Sequence, residues 1–194
     1  MTSPAVRRPS MPVSAPRRSR VPLAWPVTLA AGATVVALSA QVAIPVPFSP
    51  VPMTLQPLAV LLVGGLFGAA AGAGALVLYL VAGAFGAPVF APIGPQGLAR
   101  LFGPTGGYLL AMPLAAVVVG RLAERGRLFQ SLLAAALGML VIHLGGWAQL
   151  AVLTGSPARA LQFGTLPFVA QDLLKVALAG LVLWRGHHAL RLRA

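Results

Sequence analysis

The amino-acid sequence predicts an all-α integral membrane protein with six transmembrane helices and both termini in the cytoplasm. Hydrophobic residues occupy 58% of the 194 positions and charged residues only 8%, against about a quarter charged in an average soluble domain. No charged side chain occurs in residues 21–99, and such a stretch is typical of chain embedded in lipid. The mean hydropathy of +0.90 agrees with this class. The composition therefore excludes a soluble enzyme.

The net charge of +12 comes from basic residues placed at the ends of apolar segments. Five arginines precede residue 21, and others follow the apolar segments at 121–127, 185 and 191–193. This placement marks the cytoplasmic side of a membrane protein, whereas nucleic-acid binding needs basic residues interleaved with aromatic ones on a folded surface. We expect no nucleic-acid partner. The absence of cysteine excludes disulfides and zinc–thiolate sites.

The N-terminal segment separates from the rest by composition. Residues 1–22 are rich in Pro, Ser and Arg and are predicted to form a disordered basic cytoplasmic tail. A signal peptide is the alternative, but the following apolar stretch is too long and continues uncharged past any small-residue cleavage point. Residues 23–186 are therefore predicted to form a six-helix membrane domain, and 187–194 a cytoplasmic C-terminal tail.

The number of spans follows from segment length and charge. The apolar segments lie at about 23–44, 54–86, 105–120, 130–153 and 168–185. The second is too long for one span of about 20 residues and contains several glycines, so we predict two short helices that turn near 67–72. Six helices then place the basic loop and both basic termini inside, which five helices cannot do.

Three segments rich in Pro or Gly, at 44–57, 87–104 and 154–167, are then predicted to face outward. The first contains five prolines, so it cannot continue a helix. Because it also carries Phe48, Met53 and Gln56, we interpret it as a rigid, largely extended lid over a binding site. The alternative is a simple connector.

One acidic residue lies in a predicted span: Asp172, followed three residues later by Lys175, the sole lysine of the chain. This spacing puts both side chains on one helical face within ion-pair reach. Ionisable groups inside a bilayer cost several kcal/mol and mark function, which favours a substrate site over a purely structural salt bridge. Lys175 is predicted to hold an anionic substrate group, while Asp172 accepts hydrogen bonds from substrate N–H groups or orients Lys175.

Arg100 and the glycine-rich turn at 103–108 (GPTGGY) add polar groups before the next span. The free backbone N–H groups of a helix start suit a polar or anionic ligand. Lys175 lies outside any GxxxxGK[ST] context, so the chain has no Walker A motif. Any energy that the protein needs must therefore come from a partner or a gradient.

Other isolated residues are less specific. His143 is expected to hydrogen-bond to a neighbouring helix rather than bind a metal, and no carboxylate partner is expected for it. Trp147 either lines the pocket or anchors the chain at the interface. Ala33 and Ala37 belong to a stripe of small residues that favours close helix packing, against a partner protein or within the chain. No Ser-His-Asp set, HExxH motif or carboxylate pair is present, so we expect no enzyme.

Four motifs carry a family resemblance that covers about residues 33–180. They are PVPF at 45–48 with VPMTLQ at 51–56, YLxxGxxGxPVFA at 79–91, GPTGGYL at 103–109, and Asp172-x-x-Lys175. Together they resemble the BioY biotin transporters, the substrate-capturing S components of energy-coupling factor (ECF) importers. The resemblance implies six helices and an outward-opening pocket for biotin, the transported substrate, with no cofactor.

In this family, biotin's carboxylate and ureido ring are held by polar residues of the loop between the third and fourth helices and by the Asp-x-x-Lys pair. Tyr108 and Arg100 match by position around the glycine-rich turn. Where relatives carry an amide early in that loop, this chain has Gly94 and Gln96. The candidate substrate-binding residues are Asp172, Lys175, Tyr108, Arg100, Gln96, Gly94, Phe90, Trp147 and Gln56.

The resemblance also implies partners. Ala33 and Ala37 resemble the patch by which S components dock on the transmembrane coupling subunit, and two ATPase subunits would drive delivery across the cell (plasma) membrane. An S component for another vitamin, or a structural membrane protein without transport activity, are the alternatives. An intramembrane enzyme is the least supported class.

Overall fold

The computed structural model describes residues 24–124 and 127–191, with side chains described as far as residue 188. The predicted tail at 1–22 and the chain end at 192–194 lie outside the described residues. The helices are α1 (Ala24–Gln41), α2 (Gln56–Phe67), α3 (Ala69–Ala84), α4 (Leu98–Phe102), α5 (Gly106–Ala123), α6 (Leu128–Thr154), α7 (Pro157–Gly164) and α8 (Val169–Arg191). A 3-10 turn at Leu166–Phe168 precedes α8, and two short strands, β1 (Ala43–Ile44) and β2 (Met53–Thr54), follow α1.

The apolar segment 54–86 forms two helices, α2 and α3, that meet at Gly68. Gly68 has φ +82 and ψ 168, a combination that is open essentially only to glycine, so the chain can reverse there. The following glycine, Gly72, packs so closely that a Cβ on it would lie 2.8 Å from the Cα of Gly64. The small residues thus bring α2 and α3 into backbone contact.

Four helical stretches of the described residues are long and apolar enough to cross a membrane. They are Ala24–Gln41, Gly106–Ala123, Leu128–Thr154 and Pro157–His188, while α2 and α3 are shorter apolar helices. The chain is therefore a mostly helical protein with membrane spans. The count of six spans and the cytoplasmic position of the termini stay predictions.

Helices α5 and α6 cross where their backbones touch. A Cβ on Gly107 would collide with the Gly145 carbonyl, and one on Gly145 would lie 2.5 Å from the Cβ of Ala111. Small residues at such a crossing let two helices approach closely in a membrane. The crossing places Tyr108 of α5 beside His143 of α6, with ring centroids 6.1 Å apart.

The hairpin that follows α1 is extended only at its base. Strands β1 and β2 pair antiparallel, with Ala43 opposite Thr54 and Ile44 opposite Met53. The proline-rich residues between them form turns, because Pro fixes φ and lacks the N–H that a longer ladder needs. Helix α1 accordingly ends at Gln41, before the predicted boundary at 44.

The Pro- and Gly-rich segments after α1, α3 and α6 meet at one end of the bundle. The Ser49 hydroxyl donates to the Phe163 carbonyl at 2.6 Å and joins the first segment to the third. The Gln149 amide of α6 donates to the carbonyls of Leu101 and Gly103 at 3.0 and 2.7 Å and holds the second. We call residues 42–55, 85–105 and 155–168 together the cap. At the opposite end α8 continues to Arg191, so His187 and His188, predicted as tail residues, are helical.

Candidate ligand-binding site

A cavity opens beneath the cap, between α2, α5, α6 and α8. Its empty volume is about 560 Å³, counting the open space at its mouth. Its lining includes the apolar residues Val51, Pro52, Pro57, Leu109, Met112, Ile142 and Phe168. It also includes the polar residues Thr54, Gln56, Arg100, Thr105, Tyr108, His143, Gln171, Asp172 and Lys175.

Asp172 and Lys175 form the ion pair that their spacing predicts. Lys175 Nζ lies 2.8 Å from Asp172 Oδ1, and the two residues are only 6% and 5% exposed. Asp172 lies in the first turn of α8, where the positive end of the helix dipole favours a carboxylate. Lys175 follows one turn deeper, and Asp172 is its described partner, so the ammonium has N–H groups to spare for a ligand.

The expectation that His143 has no carboxylate partner was wrong. Its Nε2 lies 2.8 Å from Asp172 Oδ2, although 29 positions separate the two residues in the sequence. A carboxylate only accepts hydrogen bonds, so His143 Nε2 carries the proton. The expected hydrogen bond to a neighbouring helix is present, and it joins α6 to α8. The pairing depends on which helices are neighbours, which no local pattern shows.

Arg100 is a buried cation that holds the loop before it. Its side chain is 4% exposed, and Nη1 donates to the carbonyls of Ala91 and Pro95 at 3.3 and 3.2 Å and to that of Ile93. Burial lowers the pKa of the guanidinium, against the opposing influence of Tyr79, yet an arginine keeps its proton at neutral pH. Arg100 therefore adds a positive charge to the cavity wall.

Tyr108 and Gln56 line the cavity with their polar atoms already engaged. The Tyr108 hydroxyl donates to the Gly164 carbonyl at 2.6 Å, so α5 is tied to the end of α7. The Gln56 amide, at the first position of α2, donates to the Tyr79 hydroxyl at 2.7 Å. Both residues are buried. They give the wall its shape, and Gln56 retains a carbonyl oxygen with acceptor capacity.

Four predicted site residues are not among those that line the cavity. Phe90 is 1% exposed and packs edge-on against Tyr79. Gly94, with φ +94, lies beside the Arg100 guanidinium. The Gln96 amide donates to the Ala91 carbonyl at 2.9 Å. The Trp147 indole donates to the Pro157 carbonyl at 3.1 Å. The structure thus gathers Gln56, Arg100, Tyr108, Asp172 and Lys175 at the cavity, and the other four support the cap.

Several cavity residues were missed in the sequence, although helical periodicity could have found some. Met112 lies four positions after Tyr108 and Gln171 lies four positions before Lys175, so each shares a helical face with a predicted residue. Thr105 immediately precedes α5. Phe168 ends the 3-10 turn, whose path the sequence does not reveal.

Part of the small-residue stripe of α1 packs against other helices of the same chain. Ala33 and Ala37 are half-buried and pack against the hydrophobic core. Their neighbour Gly32 lies against α3, where an added Cβ would be 2.7 Å from the Cβ of Ala75. The exposed part of the stripe is therefore narrow, although Val35 and Leu38 beside it are 46% and 65% exposed.

Comparisons with known proteins point in one direction. The sequence model described as the BioY family matches residues 15–192. The probable biotin transporter BioY of Pyrococcus horikoshii is 40% identical over 139 residues, which cover 72% of this chain and 82% of the relative. The biotin transporter BioY of Thermotoga maritima is 38% identical over 143 residues, covering 73% and 84%.

A solved structure has the same fold. The crystal structure of the S-component for biotin from an ECF-type ABC transporter superimposes with a TM-score of 0.76 and 24% identity. The match covers 84% of this chain and 89% of that one. The arrangement of helices is therefore one that has been observed by experiment.

Proposed function

This chain belongs to the BioY family, and we propose from that premise that it is a biotin-binding S subunit of an ECF-type importer. The observation that carries the proposal is the buried Asp172–Lys175 pair on the wall of a cavity that also holds Arg100. Two cationic side chains face one acidic one there. The excess positive charge suits a substrate with a single carboxylate, and biotin is such a molecule.

The polar and apolar residues of the cavity lining match the polar groups and the apolar parts of biotin. We assign the spare N–H groups of Lys175 to the biotin carboxylate, because charge-assisted hydrogen bonds of this kind are the strong ones. Asp172 Oδ1 and Oδ2 each accept one hydrogen bond within the chain, so in this proposal Asp172 orients Lys175. The ureido ring lies at the opposite end of the biotin molecule from the carboxylate and is directed away from this pair. The apolar wall of Leu109, Met112 and Ile142 covers the ring and the aliphatic tail.

The hairpin between α1 and α2 serves as the lid in this proposal. Val51 and Pro52 form part of the cavity wall, and Ser49 fastens the hairpin to the other side of the cap. Its prolines restrict the backbone, so the lid covers the ligand without much loss of chain entropy.

Transport then requires partners. We propose that α1, at Ala33 and Ala37, docks on the ECF transmembrane coupling subunit and that two ATPase subunits supply the energy, because the chain has no Walker A motif. The chain would lie in the plasma membrane with six spans and both termini in the cytoplasm. The lipid bilayer surrounds the exposed Leu and Val side chains of the helices.

Calorimetric titration of the detergent-purified chain tests the substrate. We expect saturable binding of biotin and none of thiamine or riboflavin; binding of another vitamin with indifference to biotin would identify a different S component. Lys175→Met should weaken biotin binding about tenfold or more, the effect of a lost hydrogen bond to a charged group. The matched control is Arg185→Met, at an exposed position near the far end of α8.

The Lys175→Met variant also tests the competing structural hypothesis. If the Asp172–Lys175 pair is purely structural, the variant lowers thermal stability and leaves biotin uptake by cells with an ECF module unchanged. Loss of uptake with retained folding supports the transport proposal.

A further inference from the structure

We infer that His143 is a positioning residue that keeps Lys175 available to the ligand by occupying one oxygen of Asp172. The inference rests on the proposed function, since the ligand concerned is biotin. Three side chains on the cavity wall are joined through Asp172. His143 Nε2 lies 2.8 Å from Asp172 Oδ2, and Lys175 Nζ lies 2.8 Å from Asp172 Oδ1. Each carboxylate oxygen thus accepts a hydrogen bond from one of the two neighbours.

Because His143 bonds one oxygen of Asp172 and Lys175 bonds the other, the lysine ammonium gives only one of its N–H groups to the carboxylate. Lys175 carries three N–H groups, and with Oδ2 occupied it needs only one of them for Asp172. A buried carboxylate oxygen without a donor is costly. Without His143, the ammonium would turn a second N–H group toward Asp172 and away from the cavity. The histidine therefore acts on ligand binding through Asp172, without needing to touch the ligand.

The surroundings of His143 hold its proton on Nε2. The ring is 14% exposed and stands edge-on to Tyr108, while Nδ1 is buried and has no hydrogen-bond partner within the described part of the chain. No competing acceptor therefore draws the proton to the other nitrogen, and Asp172 fixes the tautomer.

The far side of the His143–Asp172 pair is a mostly apolar groove. Both residues also line a groove on the outside of the bundle between α6 and α8, together with Met139, Leu140, Val169 and Val176. These four neighbours are apolar, and the one other side-chain donor that lines the groove is the hydroxyl of Thr165. That hydroxyl has no hydrogen-bond partner in the described part of the chain, so it does not bond to Asp172, whereas Lys175 already lies 2.8 Å from the carboxylate. His143 and Asp172 thus lie between the cavity and the groove and contribute to the lining of both.

A double-mutant cycle with biotin titration tests the inference. We expect His143→Phe to weaken biotin binding about tenfold, and His143→Gln, whose amide N–H can reach the same oxygen, to stay within about threefold of the unmodified protein. In the Asp172→Asn background, His143→Phe should have little further effect, because the group it acts through is gone. His187→Phe and His187→Gln are matched controls, since this half-buried histidine lies in α8 far from the cavity.

Acylation of Lys175 provides a readout that needs no ligand. Because Lys175 is the sole lysine, mass spectrometry can follow its reaction with a small amine-reactive ester at one site. We expect the reaction to slow about threefold or more in His143→Phe, whose ammonium turns to Asp172, and to recover in His143→Gln. Both His187 variants should react like the unmodified protein.

The outcomes separate this inference from the proposed function. Equal acylation rates in His143→Phe and the unmodified protein would overturn the inference, as would a His143→Gln variant as impaired as His143→Phe. Independent effects of His143→Phe and Asp172→Asn would also overturn it. If the unmodified protein ignores biotin while the acylation pattern holds, the proposed function fails and the positioning role of His143 stands.

Discussion

The Ser49 hydroxyl donates a 2.6 Å hydrogen bond to the Phe163 carbonyl and joins two cap segments 114 positions apart in the sequence. The same oxygen accepts a hydrogen bond from the backbone N–H of Val51 at 3.1 Å. Val51 in turn lines the cavity. A single hydroxyl therefore sets the position of the hairpin over the site.

The first prediction concerns this contact. Ser49→Ala should raise the dissociation rate of biotin about threefold to tenfold, because one net hydrogen bond of about 0.5–1.5 kcal/mol holds the hairpin closed. Stopped-flow measurement of ligand release checks it. Ser39→Ala is the control, since the Ser39 hydroxyl bonds only within α1, to Val36. An unchanged release rate in Ser49→Ala would show that the hairpin does not gate the cavity.

The second prediction separates the three glycines of the GPTGGY motif. A Cβ on Gly103 would have ordinary contacts of 3.5–4.0 Å, whereas one on Gly106 or Gly107 would collide with the carbonyl of Leu101 or Gly145. We expect Gly103→Ala to fold normally. Gly106→Ala and Gly107→Ala should lower the yield of monodisperse protein and the melting temperature, measured by size-exclusion chromatography and thermal unfolding. Equal behaviour of all three variants would contradict the helix crossing.

The third prediction concerns Tyr108. Tyr108→Phe keeps the ring but leaves the Gly164 carbonyl without its 2.6 Å partner, so stability should fall by about 1–3 kcal/mol. Tyr108→Ala should cost about 3–5 kcal/mol because it also leaves a hole beside His143. Denaturation in mild detergent measures both. A Tyr108→Phe variant as unstable as Tyr108→Ala would argue that the hydroxyl, not the ring, forms the wall.

The fourth prediction identifies the ligand group at Lys175. Biotin amide, which lacks the negative charge, should bind the unmodified protein about tenfold more weakly than biotin. In Lys175→Met the two ligands should bind with equal affinity, because the group that distinguishes them is missing. If the preference for biotin survives in Lys175→Met, the carboxylate lies elsewhere in the cavity, with Arg100 as the alternative cation.

The features that could be predicted from the sequence are those that depend on residues close together in the chain. Asp172 and Lys175 are three residues apart on one helix, and the structure shows their ion pair at 2.8 Å. The division of 54–86 into two helices follows from the glycines, of which Gly68 supplies the positive φ. Proline content likewise showed that α1 cannot continue past Pro45, although the helix already ends at Gln41.

The contacts that could not be predicted are those between different helices, because the sequence does not show which helices pack against each other. His143 meets Asp172 only because α6 packs against α8, and nothing within one helix shows that contact. Phe90 belongs to a motif of the family, yet it packs in the core against Tyr79. A family motif includes residues needed for packing as well as residues that contact the ligand, so membership of a motif alone does not assign a residue to the binding site.

The shortness of helices α2 and α3 has a consequence for the surrounding lipid. With 12 and 16 residues, these helices reach about 18 and 24 Å, less than the hydrocarbon thickness of about 30 Å. The 27-residue α6 reaches about 40 Å. If both kinds of helix lie in one bilayer, the membrane must thin on one flank of the protein or the bundle must lean. Acyl-chain length should therefore influence how the protein stands in its membrane.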